Sequence, residues 1–330
     1  LYRCLSNKDK IILNKLNRSF LLILLGISIS SLNGANTFNM TEIHALRAEI
    51  PRDLTVELPD GSQRNMSRCD FVVLNPEAAQ TDLETINQWN NLHRSSILTI
   101  PVAFHIIHKT DGTGYIQESQ LDAQITSLNA AYSSLYIQFN KYDVDYTAND
   151  DWFGIECGDF TEQECNTHAN HCTWEDDDEE CQAENDYEID FRNALAVNPA
   201  TTLNIYSGEL GGTLGYAYLP TDLTSIPSYM DGVVLHYMTL EKIGDSNSPY
   251  NEGDTGVHEV GHYLGLHHTF NGGCGGGPTG GDEVGDTPEQ DNGDNIYECV
   301  EADTCPTDFG NDPIHNYMNY VEDSCMNEFT

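Results

Sequence analysis

Residues 258–270 read HEVGHYLGLHHTF, and three of the four histidines stand at the spacing of a chelate. His258 and His262 are four apart, so on a helix both imidazoles leave one face, a turn apart, and can share one zinc ion. Glu259, beside the first, can reach a water at that metal. Three protein ligands plus water is the open arrangement of a catalytic zinc, whereas a structural site is closed by four. Three residues past His262, Gly265 can end the helix at positive φ and turn the chain back toward the metal. The next ligand then falls three residues further on, at His268, which makes His267 a neighbour pointing elsewhere. With ordinary residue frequencies, H-E-x-x-H-x-x-G-x-x-H arises by chance in such a chain with probability on the order of 10⁻⁴. The chemistry this set supports is metal-assisted hydrolysis with Glu259 as the base.

Several elements must position that set. The run ILTIPVAFHIIHK (97–109) is β-branched and aromatic and predicts a strand, with His105 and His108 as ordinary strand residues. Leu121, Ile125, Leu128 and Tyr132 recur at helical spacing in 117–132, so one face of that helix packs on a sheet. TTLNIYS (201–207), GTLGYAYLP (212–220) and DGVVLHYM (231–238) predict three more strands. Between them, 151–187 reads as a disulfide-stapled insertion whose acidic run 175–180 is a solvated face.

The formal charge of −39 disfavours nucleic acid and anionic membranes as partners and suits cations and basic peptide or protein substrates. Lys8, Lys10, Lys15 and Arg18 precede the apolar run FLLILLGISI, so 1–35 reads as a secretory signal, too short to leave a membrane anchor. The first residue is Leu, so the sequence is expected to continue upstream. Asn39 and Asn65 begin glycosylation sequons. Secretion favours disulfides among the ten cysteines. Cys4 leaves with the signal; Cys157, Cys165, Cys172 and Cys181 form one group, and Cys274, Cys299, Cys305 and Cys325 another with three possible pairings. Cys69 is then left over, either as a free thiol or bridged to the insertion.

The zinc signature, with IPVAFHIIH, LNIYS, LGYAYLP, DGVV, GDEVGDTP and NYMNYVEDSC in that order, resembles the metzincin metalloproteases of the pappalysin or cytophagalysin (ulilysin-like) group. The resemblance runs from about residue 97 to the end. It implies an α+β metzincin-type zincin: a twisted, mostly parallel sheet with backing and active-site helices, over an irregular lower subdomain stabilised by disulfides and calcium. It implies a secreted zinc endopeptidase made as a latent zymogen, with 36–93 as propeptide and 94–330 as catalytic domain. Met318 is then the methionine beneath the histidines, and Tyr320 approaches the metal or the oxyanion. Asp282, Asp286 and Thr287 contribute to a calcium site, and the late bridges are Cys274 to Cys305 and Cys299 to Cys325.

By the same resemblance Cys69, in SRCDF, is the propeptide cysteine that takes the water's place on zinc, although Asp70 stands where the family has glycine. Glu322 and Asp323 are the acidic residues of a pocket favouring a basic residue after the scissile bond. Self-processing would cut between His93 and Arg94. Family members continue into a C-terminal helix beyond the FT that ends this sequence, so that helix is expected to be missing here. A non-catalytic zinc- or calcium-stabilised adhesin on the same scaffold is the rival, and Glu259 argues against it.

Overall fold

A computed structural model describes residues 43, 47, 50–52, 54–57, 63–71, 97–154, 161–167, 172–175, 180–183, 187–209, 212–240, 248–275 and 282–329. The signal, Asn39, Cys157 and the expected cut at 93–94 lie outside the described residues.

Strand β1 (Leu54–Glu57) and β2 (Gln63–Met66) form an antiparallel hairpin. The main sheet comprises β3 (Leu98–His108), β4 (Ile137–Ala148), β7 (Leu203–Gly208), β8 (Gly215–Ala217) and β9 (Val233–His236), in the order β4-β3-β7-β9-β8. All neighbours are parallel except β8, an edge strand antiparallel to β9. Both faces of β3 are covered, which is why Val102 through Ile107 read as one apolar run without alternation. Its one polar interior residue, His105, is held by Asp145 and by Asn204 Oδ1 at 2.9 Å.

Helix α1 (Glu118–Tyr132) packs beside α5 (Asp254–Tyr263), which carries the zinc signature. The buried α1 positions are Leu121, Gln124, Leu128 and Tyr132, whereas Ile125 is only partly buried. Gln124 takes the inner place because its amide donates to Gly253 O at 2.9 Å, while Tyr132 donates its hydroxyl to Val257 O at 2.8 Å. Gly256 makes this approach possible, since a Cβ there would lie 2.5 Å from the Gln124 amide nitrogen. Two buried hydrogen bonds thus fix where the first turn of α5 stands, and each is costly to break.

The first residues of the 151–187 stretch pack on the sheet. The short helix α2 (Asp150–Phe153) buries Phe153 with Phe191, Tyr206 and Tyr216 on the outer face of the sheet, and Phe153 O accepts from Glu209 N at 2.9 Å. Beyond it come α3 (Glu162–Thr167) and the hairpin of β5 (Cys172–Glu175) with β6 (Glu180–Ala183), joined by a Cys165–Cys181 bridge. Helix α4 (Glu188–Leu195) then leads back into β7. After α5 the chain is mostly turns, tied by bridges between Cys274 and Cys305 and between Cys299 and Cys325. No helix among the described residues is long and apolar enough to cross a membrane.

Candidate metal centre

Helix α5 starts at Gly253, which has φ +89°, and ends in a paired turn. Gly265, at φ +99°, donates its N–H to His262 O at 2.8 Å, and Leu266 N–H reaches Gly261 O at 2.9 Å. This Schellman closure needs a residue at positive φ, and glycine takes it without a Cβ clash. It reverses the chain so that His268 returns to the face carrying His258 and His262.

The three Nε2 atoms then lie 3.0, 3.1 and 3.2 Å apart. His258 Nδ1 donates to Tyr317 O at 2.7 Å and His262 Nδ1 to Leu266 O at 2.8 Å. These bonds put the ring proton on Nδ1 and leave Nε2 as a bare lone pair. Burial keeps the rings neutral: it holds His258 and His268 well below the usual histidine range and brings His262 down to about 3. Lone pairs facing one another at these separations repel unless a cation lies between them. Tetrahedral zinc with Zn–N of about 2.0–2.1 Å requires nitrogens about 3.3 Å apart. The donor set therefore fits zinc.

Glu259, next to His258 in the helix, is buried, and its Oε1 has no hydrogen-bond partner among the described residues. Burial pushes its carboxyl up to about 8, opposed by the Cys69 thiol and Arg68. Rim strand β8 passes so close that a Cβ on Gly215 would sit 2.9 Å from Glu259 Cγ. Beneath the helix, a Cβ on Gly261 would meet Met318 Sδ at 2.3 Å. Met318 therefore fills a notch that only glycine leaves, in a turn closed by Asn319 N–H on Asn316 O at 2.9 Å. The preceding carbonyl, Tyr317 O, orients His258, so packing and ligand alignment share one turn.

Across this centre lies the segment 67–71. Ser67 N–H donates to Gly212 O at 2.8 Å, Leu214 N–H to Ser67 O at 3.1 Å and Asp70 N–H to Gly215 O at 3.1 Å, so the segment pairs with the rim like an added strand. Cys69 is buried and free, its Sγ and the three histidine nitrogens all within 4.8 Å of one another. The thiol donates to Glu259 Oε2 at 3.4 Å, and Tyr320 donates its hydroxyl to Cys69 O at 3.3 Å. Burial, with the Glu259 charge adding to it, pushes the Cys69 thiol well up in this frame. Phe71 stacks on His262 with ring centroids 4.0 Å apart.

Arg68 is a site residue that the sequence reading missed. Its side chain is fully buried, pairs with Asp323 at 3.3 Å, bonds Thr255 Oγ1 and lies 4.7 Å over the Tyr250 ring. Two residues further on, Asp70 bonds Ser67 Oγ and pairs with Arg52 at 3.4 Å, which gives the unexpected aspartate a partner. The only sequence signal for Arg68 was an arginine adjoining the leftover cysteine.

Asp323 is buried and pairs with Arg68, while Glu322, half-buried beside it, accepts from Ser324 Oγ through Oε1 at 3.0 Å. In the Gly-rich loop Asp282 and Thr287 are buried but Asp286 is exposed, and Asp282 Oδ1 accepts from Val284 N–H at 2.8 Å. Among the described residues the only group of at least three His, Cys, Asp or Glu ligands that converges is the one at Cys69, His258, His262 and His268.

The peptidase family described as pregnancy-associated plasma protein-A matches residues 203–330. An extracellular metalloprotease of Colletotrichum graminicola is 35% identical over 269 residues, covering 77% of this chain and 84% of the relative. The chain belongs to the pappalysin family of metallopeptidases. An extracellular metalloprotease of Neurospora crassa is 36% identical over 239 residues, covering 71% of each chain. Among solved structures, promirolysin of Tannerella forsythia superposes with a TM-score of 0.54 at 26% identity, covering 80% of this pappalysin and 90% of its own chain. Mature mirolysin in complex with a cleaved peptide gives 0.51 at 28% identity, with 72% and 88% covered.

Replacing His268 with Ala is expected to lower zinc affinity by about 10-fold or more, whereas His267→Ala leaves about one zinc per chain. Metal analysis after dialysis against a weak chelator reads both; the reverse result would overturn the assignment.

Proposed function

We propose that this pappalysin is a secreted zinc endopeptidase, held latent by its N-terminal segment, that favours a basic residue after the scissile bond. The observation that carries the reading is the convergence of three unprotonated imidazole nitrogens beside the buried Glu259, with Cys69 seated over them. His258, His262 and His268 would hold the zinc. Bound there, zinc supplies Lewis acidity that makes water a nucleophile near neutral pH.

Once Cys69 withdraws, Glu259 faces the space its thiol filled. Its carboxylate takes the proton of the attacking water and returns it to the leaving amine. Gly212 O, Leu214 N–H and Gly215 O, freed from 67–70, bind substrate backbone along the rim. Tyr320, whose hydroxyl otherwise donates to Cys69 O, would then bond the reacting carbonyl oxygen. Export is supported by the relatives, which are named extracellular metalloproteases, and by the basic and apolar pattern of 1–35.

Support for the basic preference comes from Arg68, one residue before Cys69. It fills the Asp323 pocket beside the metal centre as a substrate arginine would. A neutral side chain there would leave the buried Asp323 carboxylate without its cation, and that penalty is what favours a basic residue.

Glu259→Gln should lower peptide hydrolysis by about 10²-fold or more while zinc stays bound; substantial activity with full metal would remove the base. Cys69→Ala in the full chain should shorten the lag before activity appears. N-terminal sequencing of the product reports whether the mature chain starts at Arg94, and an unchanged lag would remove the thiol from latency.

Asp323→Asn should abolish the advantage of arginine over leucine after the scissile bond. The pocket should also respond to pH. Burial raises the Asp323 carboxyl to about 6, and Arg68 opposes that rise, so the bound cation favours the ionised form. Linkage then requires discrimination for a basic side chain to be full above the carboxyl's value in the empty pocket, which lies above about 6, and to fade as pH falls from there to about 6. The ratio of kcat/KM for arginine and leucine substrates between pH 5 and 8 measures this; a flat ratio would exclude Asp323.

A further inference from the structure

On the outer face of the sheet, one buried carboxylate holds two arginines. Glu188, in the first turn of α4, pairs with Arg192 Nε at 2.8 Å through Oε1 and with Arg47 at 3.1 Å through Oε2. Tyr218 donates its hydroxyl to Glu188 at 3.3 Å. Arg192 belongs to the same helix, is fully buried and also donates to Met230 O at 3.0 Å. By charge alone it balances Glu188.

Arg47 is therefore a second cation on a carboxylate already paired, and something else must hold it. The added support is aromatic: its guanidinium lies 3.8 Å from the Tyr216 ring centroid and 5.2 Å from that of Tyr218. A planar cation against ring faces, with one carboxylate oxygen at its end, forms a cage suited to arginine above lysine. Four residues earlier Ile43, also in helical conformation, is buried with Tyr218, Ile226 and Met230. The apolar and basic contacts thus make one groove.

The groove and the cleft share a strand. Gly215 faces Glu259 and bonds Asp70, and side chains alternate along β8, so Tyr216 points to the opposite face. Both Ile43 and Arg47 lie in the stretch that the reading above removes on activation, and this inference rests on that reading. Their departure uncovers Glu188 Oε2 and two ring faces. The rest of the chain has little to refill them with: the basic residues of 94–330 are Arg94, Lys109, Lys141, Arg192 and Lys242.

We propose that Glu188, Tyr216 and Tyr218 form a second binding site of the mature enzyme, remote from the scissile bond, that takes an arginine or lysine of a protein substrate with an apolar residue four positions earlier. In the latent chain Arg47 and Ile43 occupy it and anchor the N-terminal segment independently of Cys69.

The probe is a fluorescent peptide of residues 41–50, TEIHALRAEI, titrated by anisotropy into the full chain after self-activation. Saturable binding is expected, weakened about 10-fold or more by Arg47→Ala in the peptide and by Tyr218→Phe or Glu188→Gln in the enzyme. The peptide should slow casein cleavage yet leave cleavage of a short chromogenic substrate unchanged. Equal binding of the Arg47→Ala peptide, or competition with the short substrate, would overturn the proposal. If Glu188→Gln lowers the melting temperature sharply, the Tyr218→Phe enzyme and the variant peptide still decide. Absence of short-substrate cleavage by the unmodified enzyme would count against the protease reading instead; the groove is then judged in the unprocessed chain, where Arg47→Ala should admit the labelled peptide and the unmodified chain should not, and equal binding to both would overturn the proposal.

Discussion

Three neutral imidazoles meet at one point, and for two of them a backbone carbonyl holds the opposite ring edge and so leaves the inner nitrogen bare. Tyr317 O takes the Nδ1 proton of His258, and Leu266 O takes that of His262. Both carbonyls lie outside α5, so the helix alone cannot make the chelate. The closing turn at Gly265 must bring Leu266 and His268 back, and the turn at 316–319 must rise beneath. Much of the irregular lower half serves that second turn. The bridge from Cys299 to Cys325 fixes the strip that follows it, and His315 Nδ1 donates to Cys325 O at 2.7 Å.

Glycine sets the clearances. On one side of α5 Gly256 admits the Gln124 amide; on another Gly261 admits the Met318 sulfur; across the cleft Gly215 lets the rim approach Glu259. Each contact lies where an added methyl would collide with a packed neighbour. In a close-packed interior such steps displace neighbours and are not absorbed locally. The positions of the three histidines and Glu259 are therefore fixed by packing from several sides.

Much of this was legible in the sequence because it rests on local spacing. The periods of four and six between His258, His262 and His268 survive any detail of packing, and so does the glycine that closes the helix. The apolar run of β3 was equally plain. Strand β4 was not, because it is an edge strand whose outer part carries Lys141, Tyr142 and Asp143 in place of clean alternation. Gln124 was passed over for Ile125 because its partners, Gly253 O and Gly256, are more than a hundred residues away. Arg68 failed to register for the same reason: its meaning is set by Asp323 and Thr255, which nothing in 60–75 announces.

The pairing of 67–70 with the rim also says something about shape. The groups it uses on Gly212, Leu214 and Gly215 answer only to extended backbone, since a helical segment has its own N–H and C=O groups already engaged. A cleft edged in this way sorts polypeptides by conformation before it reads any side chain. Tails, exposed loops and unfolded chains present backbone in that form, whereas compact domains keep theirs engaged.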